Sequence, residues 1–220
     1  MKHLNLKKED SVFVVTMNDG ATANTFTEEV LREHMAICDE IEKSDEAGAV
    51  ILTSSDAKFW TNGINLEWLM TQGSDYIPKF KDIIDEMLLR WARLPLPTFA
   101  CINGHTFGGG AILACGFDFR FMRQDRGFFC FPEIDVNIPF TDSMHEIIAC
   151  LPNKQALWEL ALTGKRVGGE EAKQKGIVTD CFSEADLFPK VFEFAKVLAG
   201  KNRATYASIK KGLKKNLYSL

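Results

Sequence analysis

The chain has 220 residues, 46% of them hydrophobic, and no Ser/Gly/Pro-rich or highly charged stretch divides it, so one sizeable core in one domain over 1–220 is expected. With 26 Lys+Arg against 30 Asp+Glu the net charge is slightly negative, which gives no electrostatic reason for a nucleic-acid or anionic-membrane partner. No run of about 18 uncharged apolar residues occurs and the amino terminus has no long apolar stretch, so neither a membrane span nor a secretory leader is expected.

The first clear element is Ser11 to Met17, a β-branched and apolar strand followed by the turn Asn18-Asp19-Gly20. Val30, Leu31, His34, Ile37, Cys38 and Ile41 recur at helical spacing between Thr27 and Lys43, with acids in the first turn. Ala49 to Thr53 is apolar on both faces, as a buried parallel strand is. A second amphipathic helix is predicted over about Tyr76 to Leu94, ended by Pro95 and Pro97. Strands follow at Thr98 to Ile102, Asp118 to Arg123 and Phe128 to Phe131. Helices are then predicted over about Asp142 to Leu151, Lys154 to Leu162 and Glu170 to Lys175, a short strand over Ile177 to Asp180, and two last helices. Strands alternating with helices make this an α/β chain with mostly parallel pairing.

Two features read as ordinary. The basic run Lys210 to Leu217 is expected to be the solvated face of a last helix. Cys38, Cys101, Cys115, Cys130, Cys150 and Cys181 form no CxxC pair, and most sit in apolar runs as small core residues, which suggests a reducing compartment. A cytoplasmic location is the expectation, with the peroxisomal or mitochondrial matrix left open; the terminal Tyr218-Ser219-Leu220 departs from a peroxisomal SKL signal.

Three segments carry chemistry. In Phe59 to Leu66, FWTNGINL, a strand ends where a helix begins. Gly63 permits a tight turn there, and the N–H groups of Ile64 and Asn65 would point outward unpaired. In Asn103 to Gly110, NGHTFGGG, three glycines at another strand-to-helix junction let backbone approach a ligand and expose N–H groups to developing negative charge. This loop lacks both the GxGxxG spacing and a following Lys-Ser/Thr pair, so nucleotide binding is discounted. In Phe131 to Phe140, FPEIDVNIPF, Glu133 stands among apolar residues. It is either a general base with a raised pKa or an edge-strand acid facing water.

Together these segments resemble the crotonase (enoyl-CoA hydratase/isomerase) superfamily over nearly the whole chain, and the later stretch LTGKRVGGEEAKQKGIV is similar to the family's as well. The resemblance implies a crotonase-like spiral of ββα units over about 1–195, with a C-terminal helical segment over about 196–220 that packs against neighbouring subunits in a homotrimer or hexamer. It implies that the N–H groups of Ile64 and Gly109 form an oxyanion hole for an acyl-CoA thioester. No metal or redox cofactor is implied; coenzyme A is part of the substrate. Hydratases of this family use two glutamates, and here the first of those positions is Ile112, on the helix face shared with Gly109. The second is Glu133. One carboxylate suits a proton shuttle from C2 to C4 of a 3-enoyl thioester, the Δ3,Δ2-enoyl-CoA isomerase reaction.

Asn62, Gly63, Leu66 and Gly108, beside the two donors, are candidate substrate contacts. Trp60, Trp68 and Phe107 either line an acyl or pantetheine channel or fill core, and His105 either touches substrate or is structural. Where many relatives place a CoA-contacting lysine, this chain has Glu67. Asp142 lies near where some relatives place an alternative base or a dehalogenase nucleophile. Two other readings therefore stand beside the isomerase: different enolate chemistry on acyl-CoA (hydrolysis, dehalogenation or hydration), and a non-catalytic acyl-CoA-binding protein.

Overall fold

The computed structural model describes residues 1–44, 46 and 48–220. The chain opens with an antiparallel hairpin, β1 (Leu4–Glu9) and β2 (Val12–Met17), turning at Asp10 with φ 52°. The sequence marks β2 but not β1. The apolar residues of β1 are only Leu4 and Leu6, and Lys7, Lys8 and Glu9 face solvent, so the alternation is too short to mark a strand.

After β2 come α1 (Glu28–Lys43), β3 (Ala49–Ser54), β4 (Phe59–Thr61), α2 (Leu66–Thr71) and α3 (Ile77–Arg93). The middle holds β5 (Thr98–Ile102), β6 (His105–Phe107), α4 (Gly109–Gly116), β7 (Phe119–Arg123), β8 (Phe129–Cys130) and α5 (Glu133–Val136). The chain closes with α6 (Asp142–Ile148), α7 (Lys154–Thr163), α8 (Gly169–Gln174), β9 (Asp180–Phe182), α9 (Glu184–Ala199) and α10 (Arg203–Leu213). The strand expected at Ile177 to Asp180 begins only at Asp180. Ile177 and Val178 are buried instead in the turn that closes α8, where both N–H groups donate to the Ala172 carbonyl.

The strands form two sheets. The large one runs β1-β2-β3-β5-β7-β9, parallel after the first pair; the small one runs β4-β6-β8, all parallel. Three times the chain lays a strand in the large sheet, then one in the small sheet, then a helix that carries it back: β3–β4–α2/α3, β5–β6–α4 and β7–β8–α5. This is the ββα spiral that the sequence resemblance implies, and it stacks the ends of β4, β6 and β8 beside one another.

Side-chain alternation divides the core. Phe13, Val15, Val50 and Leu52 face α1, α3 and α4, whereas Val12, Val14, Ala49 and Ile51 join Leu187, Val191 and Ala195 of α9 on the other side. The expected boundary near residue 195 falls within α9, which covers that second face. Among the described residues no helix is long and apolar enough to cross a membrane, and all six cysteines are free, five of them buried.

The basic run at the end is not wholly a solvated face. Lys210 is buried, with its Nζ 2.9 Å from Asp118 Oδ2 and 3.2 Å from the Leu96 carbonyl, and Lys214 Nζ lies 2.7 Å from Asp118 Oδ1. Tyr206 adds a hydroxyl bond to the same carboxylate at 3.1 Å. These contacts dock α10 on the start of β7.

Candidate active site

The small sheet is parallel, so the carboxyl ends of its three strands point the same way, the usual place for a ligand site in such sheets. From β4 the chain runs through Asn62 and Gly63 to Ile64, from β6 through Gly108 to Gly109, and from β8 through Phe131 and Pro132 to Glu133.

The first two ends touch. Gly63 has φ 72°, and a Cβ there would lie 2.6 Å from the Phe107 carbonyl oxygen and 2.8 Å from the Gly109 nitrogen, so only glycine allows this approach. Phe26 grips the turn from the other side: its N–H donates to the Gly63 carbonyl at 2.7 Å and its carbonyl accepts from Asn65 N–H at 3.1 Å. The Asn65 N–H is therefore engaged, contrary to the expectation that it would be free. Among the described residues, no acceptor takes the N–H of Ile64 or of Gly109, the first residue of α4. Two neighbouring donors left unpaired at such a junction can hold an oxyanion.

A polar network that the sequence did not announce holds this turn. Asn24, in the left-handed region with φ 51°, buries its amide and donates to Ser54 Oγ at 2.8 Å and to the Trp60 carbonyl at 3.1 Å. Thr61 Oγ1 donates to the Asn24 carbonyl at 2.7 Å and accepts from Gly63 N–H at 3.1 Å. The only available signal was Asn, Thr and Ser near turns, and that is common to ordinary loops.

Glu133 opens α5 rather than lying on an edge strand. Its Oε1 is 3.2 Å from where a Cβ of Gly108 would sit, and its Oε2 is buried without a hydrogen-bond partner. Burial pushes the carboxyl up to about 7, with its own backbone N–H lowering it by less. Ile112 is buried in the core from the first turn of α4, so no acid faces Glu133 from that helix. Of the other acids lining the cleft, Asp56 accepts from Lys58 N–H at 2.6 Å and so holds its own turn, and Glu67 is exposed on α2.

These groups line a cleft of about 1000 Å³ that also includes Asn62, Leu66, Phe107, Lys58 and Arg166. The Arg166 guanidinium lies 5.4 Å over the Phe107 ring, so cations do reach the cleft, though not from position 67. Trp60 does not line it. Its indole is fully buried, donating from Nε1 to the Leu52 carbonyl at 3.3 Å. Trp68 packs on Tyr76 and Phe80 with ring centroids 6.0 and 5.6 Å away, also outside the cleft. His105 is enclosed by Phe59, Phe107 and Phe128; burial lowers its pKa, and Lys58, Arg126 and Arg166 add to that. Asp142 is exposed at the start of α6 and lines neither this cleft nor the groove beside it.

Known proteins resemble this chain over nearly its whole length. Residues 7–219 match the model of the enoyl-CoA hydratase/isomerase family. The chain is 30% identical to a peroxisomal enoyl-CoA delta isomerase 2 of Arabidopsis thaliana, covering 94% of this chain and 90% of that one. It is 28% identical to a 4-chlorobenzoyl coenzyme A dehalogenase of Arthrobacter, covering 90% and 72%. A solved enoyl-CoA hydratase from Geobacillus kaustophilus superimposes with TM-score 0.87 at 26% identity, covering 97% of this chain and 80% of that one.

Proposed function

Within the enoyl-CoA hydratase/isomerase family, to which this chain belongs, we propose that it is a Δ3,Δ2-enoyl-CoA isomerase with Glu133 as its one acid/base. Oxyanion-hole chemistry on acyl-CoA thioesters is common to the family; which bond is then made or broken depends on the acids around the α-carbon. The observation that carries the proposal is a single half-buried carboxyl, pushed up to about 7, beside two unpaired N–H groups, with apolar Ile112 where a second acid would stand.

In this reading the thioester carbonyl of a 3-enoyl-CoA accepts from Ile64 N–H and Gly109 N–H. Ionised Glu133 removes a C2 proton, and the negative charge spreads over a dienolate whose oxygen the two donors hold. Glu133, now neutral, returns the proton to C4, the double bond shifts to C2–C3, and the carboxylate is restored. Hydration would also need a second group to orient a water, and α4 presents none. Lys58 and Arg166 are the cations that we assign to the phosphates of coenzyme A. Assembly as a trimer or a hexamer belongs to the same proposal, and light scattering on the purified protein tests it.

The dehalogenase relative keeps an Asp142-centred reaction in view, but the exposed position of that residue outside the cleft gives it no support. The test is to incubate wild type and Glu133→Gln separately with a 3-enoyl-CoA and a 2-enoyl-CoA and to separate the products. The 3-enoyl ester should become the 2-enoyl ester with no 3-hydroxyacyl-CoA, and the Gln variant should lose about 10²- to 10⁴-fold. Hydration as the main outcome would overturn the inference from Ile112. Full turnover in Glu133→Gln would remove the assigned base.

A further inference from the structure

A second cavity, of about 780 Å³, adjoins the cleft and shares Glu133 and Ile138 with it. Its wall is formed mainly by Ile138, Phe140, Ile148, Leu157, Trp158 and Leu162, from α6, α7 and the loop after α5. The groove is open: Trp158 is 68% and Leu162 66% exposed, with Ile134 beside them at 52%. Such a contiguous apolar surface on a folded chain marks a binding site more often than idle surface.

We propose that this groove takes the acyl tail of the substrate and selects medium- and long-chain thioesters over short ones. The inference rests on the isomerase reading of the cleft, because that reading fixes where the tail must start. C2 and C4 both exchange a proton with the Glu133 carboxyl, so the chain beyond C4 leaves from beside Glu133. The polar side chains Asn62, Lys58 and Arg166 of the cleft suit the coenzyme A end. The apolar groove meets the cleft at the same carboxyl and at Ile138, and its remaining wall comes from α6, α7 and the loop after α5. Its volume is in the range that holds a whole drug-sized ligand, roughly 300–1000 Å³, and far exceeds the need of a butenoyl chain.

Each methylene removed from water into such a groove should raise affinity about fourfold until the groove is filled. Burial of this kind strengthens ground state and transition state alike, so chain length should act on KM with kcat little changed.

The deciding experiment is calorimetric binding of saturated hexanoyl-, octanoyl- and decanoyl-CoA, which cannot isomerise, beside steady-state turnover of the matching 3-enoyl esters. Affinity should climb steeply with chain length in wild type. In Leu162→Arg, a change at an exposed position that the fold should tolerate, the decanoyl-to-hexanoyl affinity ratio should collapse by tenfold or more. A flat affinity series in wild type overturns the groove assignment; turnover that persists in that case leaves the isomerase reading standing. A steep series without turnover of any enoyl ester keeps the groove and removes the isomerase. If Leu162→Arg changes the association state by light scattering and leaves the chain-length slope intact, a second copy of the chain covers the groove and the inference fails.

Discussion

At the scale of single residues, the site depends on backbone groups that side-chain replacement does not ordinarily reach. Gly109 is an exception because it opens a helix, where proline is tolerated and its missing N–H breaks no helical bond. A Cβ at Gly109 would lie 3.4 Å from Phe26 and 3.5 Å from Ile84, which is ordinary contact. Gly109→Ala should therefore keep the donor and most of the activity. Gly109→Pro should lower kcat about 10²- to 10³-fold, the usual cost of losing one oxyanion donor, with a much smaller change in thermal midpoint. Equal activity in the two variants would mean that the Gly109 N–H stabilises no developing charge. At Gly63 the same substitutions are not comparable, since φ 72° and the 2.6 Å approach to the Phe107 carbonyl would strain any side chain and part the two donors.

At the scale of elements, the spiral and its three chemical segments were legible because Gly63, the glycines at 108–110 and Pro132 sit at strand ends, where backbone geometry restricts residue type. What stayed hidden lacked such a restriction. β1 carries too few buried residues to show a period, and β4 is only three residues long, so nothing in its sequence told that Trp60 turns into the core while Asn62 faces the cleft. The docking of α10 was hidden for another reason: lysines in a basic run read as solvated until the buried acid that takes them is known. Burial alone would raise the Asp118 carboxyl, but the Lys210 and Lys214 ammoniums outweigh it and hold it below the usual range. Removing that one acid strands two cations, one of them fully buried, so Asp118→Asn should cost about 3–5 kcal/mol in urea unfolding. Lys210→Met leaves Asp118 paired with Lys214 and should cost distinctly less. Equal losses would show that α10 is held by packing and that the charges contribute little.

At the scale of the whole molecule, buried His34 and half-buried Glu133 pull stability in opposite directions with pH. His34 is enclosed by Phe26 and Trp91, accepts Trp91 Nε1–H on Nδ1 at 3.2 Å, and is pushed down to about 3 by burial. Its neutral form is the folded form, so stability is full above about 6.5, where the unfolded imidazole is also neutral, and falls as pH drops from there toward about 3. Glu133 has the reverse sign. Its folded pKa is raised, so the stability tied to the neutral carboxyl is present below about 4.5 and is lost as pH rises toward about 7. Above that point the protein carries the cost of an ionised, partly unsolvated carboxylate, the state in which it can remove a proton. Thermal midpoints of wild type and Glu133→Gln should then agree near pH 4.5, separate between about 4.5 and 7, and stay several degrees apart above, with the Gln variant the more stable. Over the same range kcat/KM of the wild type should rise with pH to a plateau, half-maximal near 7, because the free enzyme needs the ionised base. The two curves report one ionisation, so a rate profile whose midpoint lies well away from the point where the stabilities stop diverging would mean that a group other than Glu133 takes the proton.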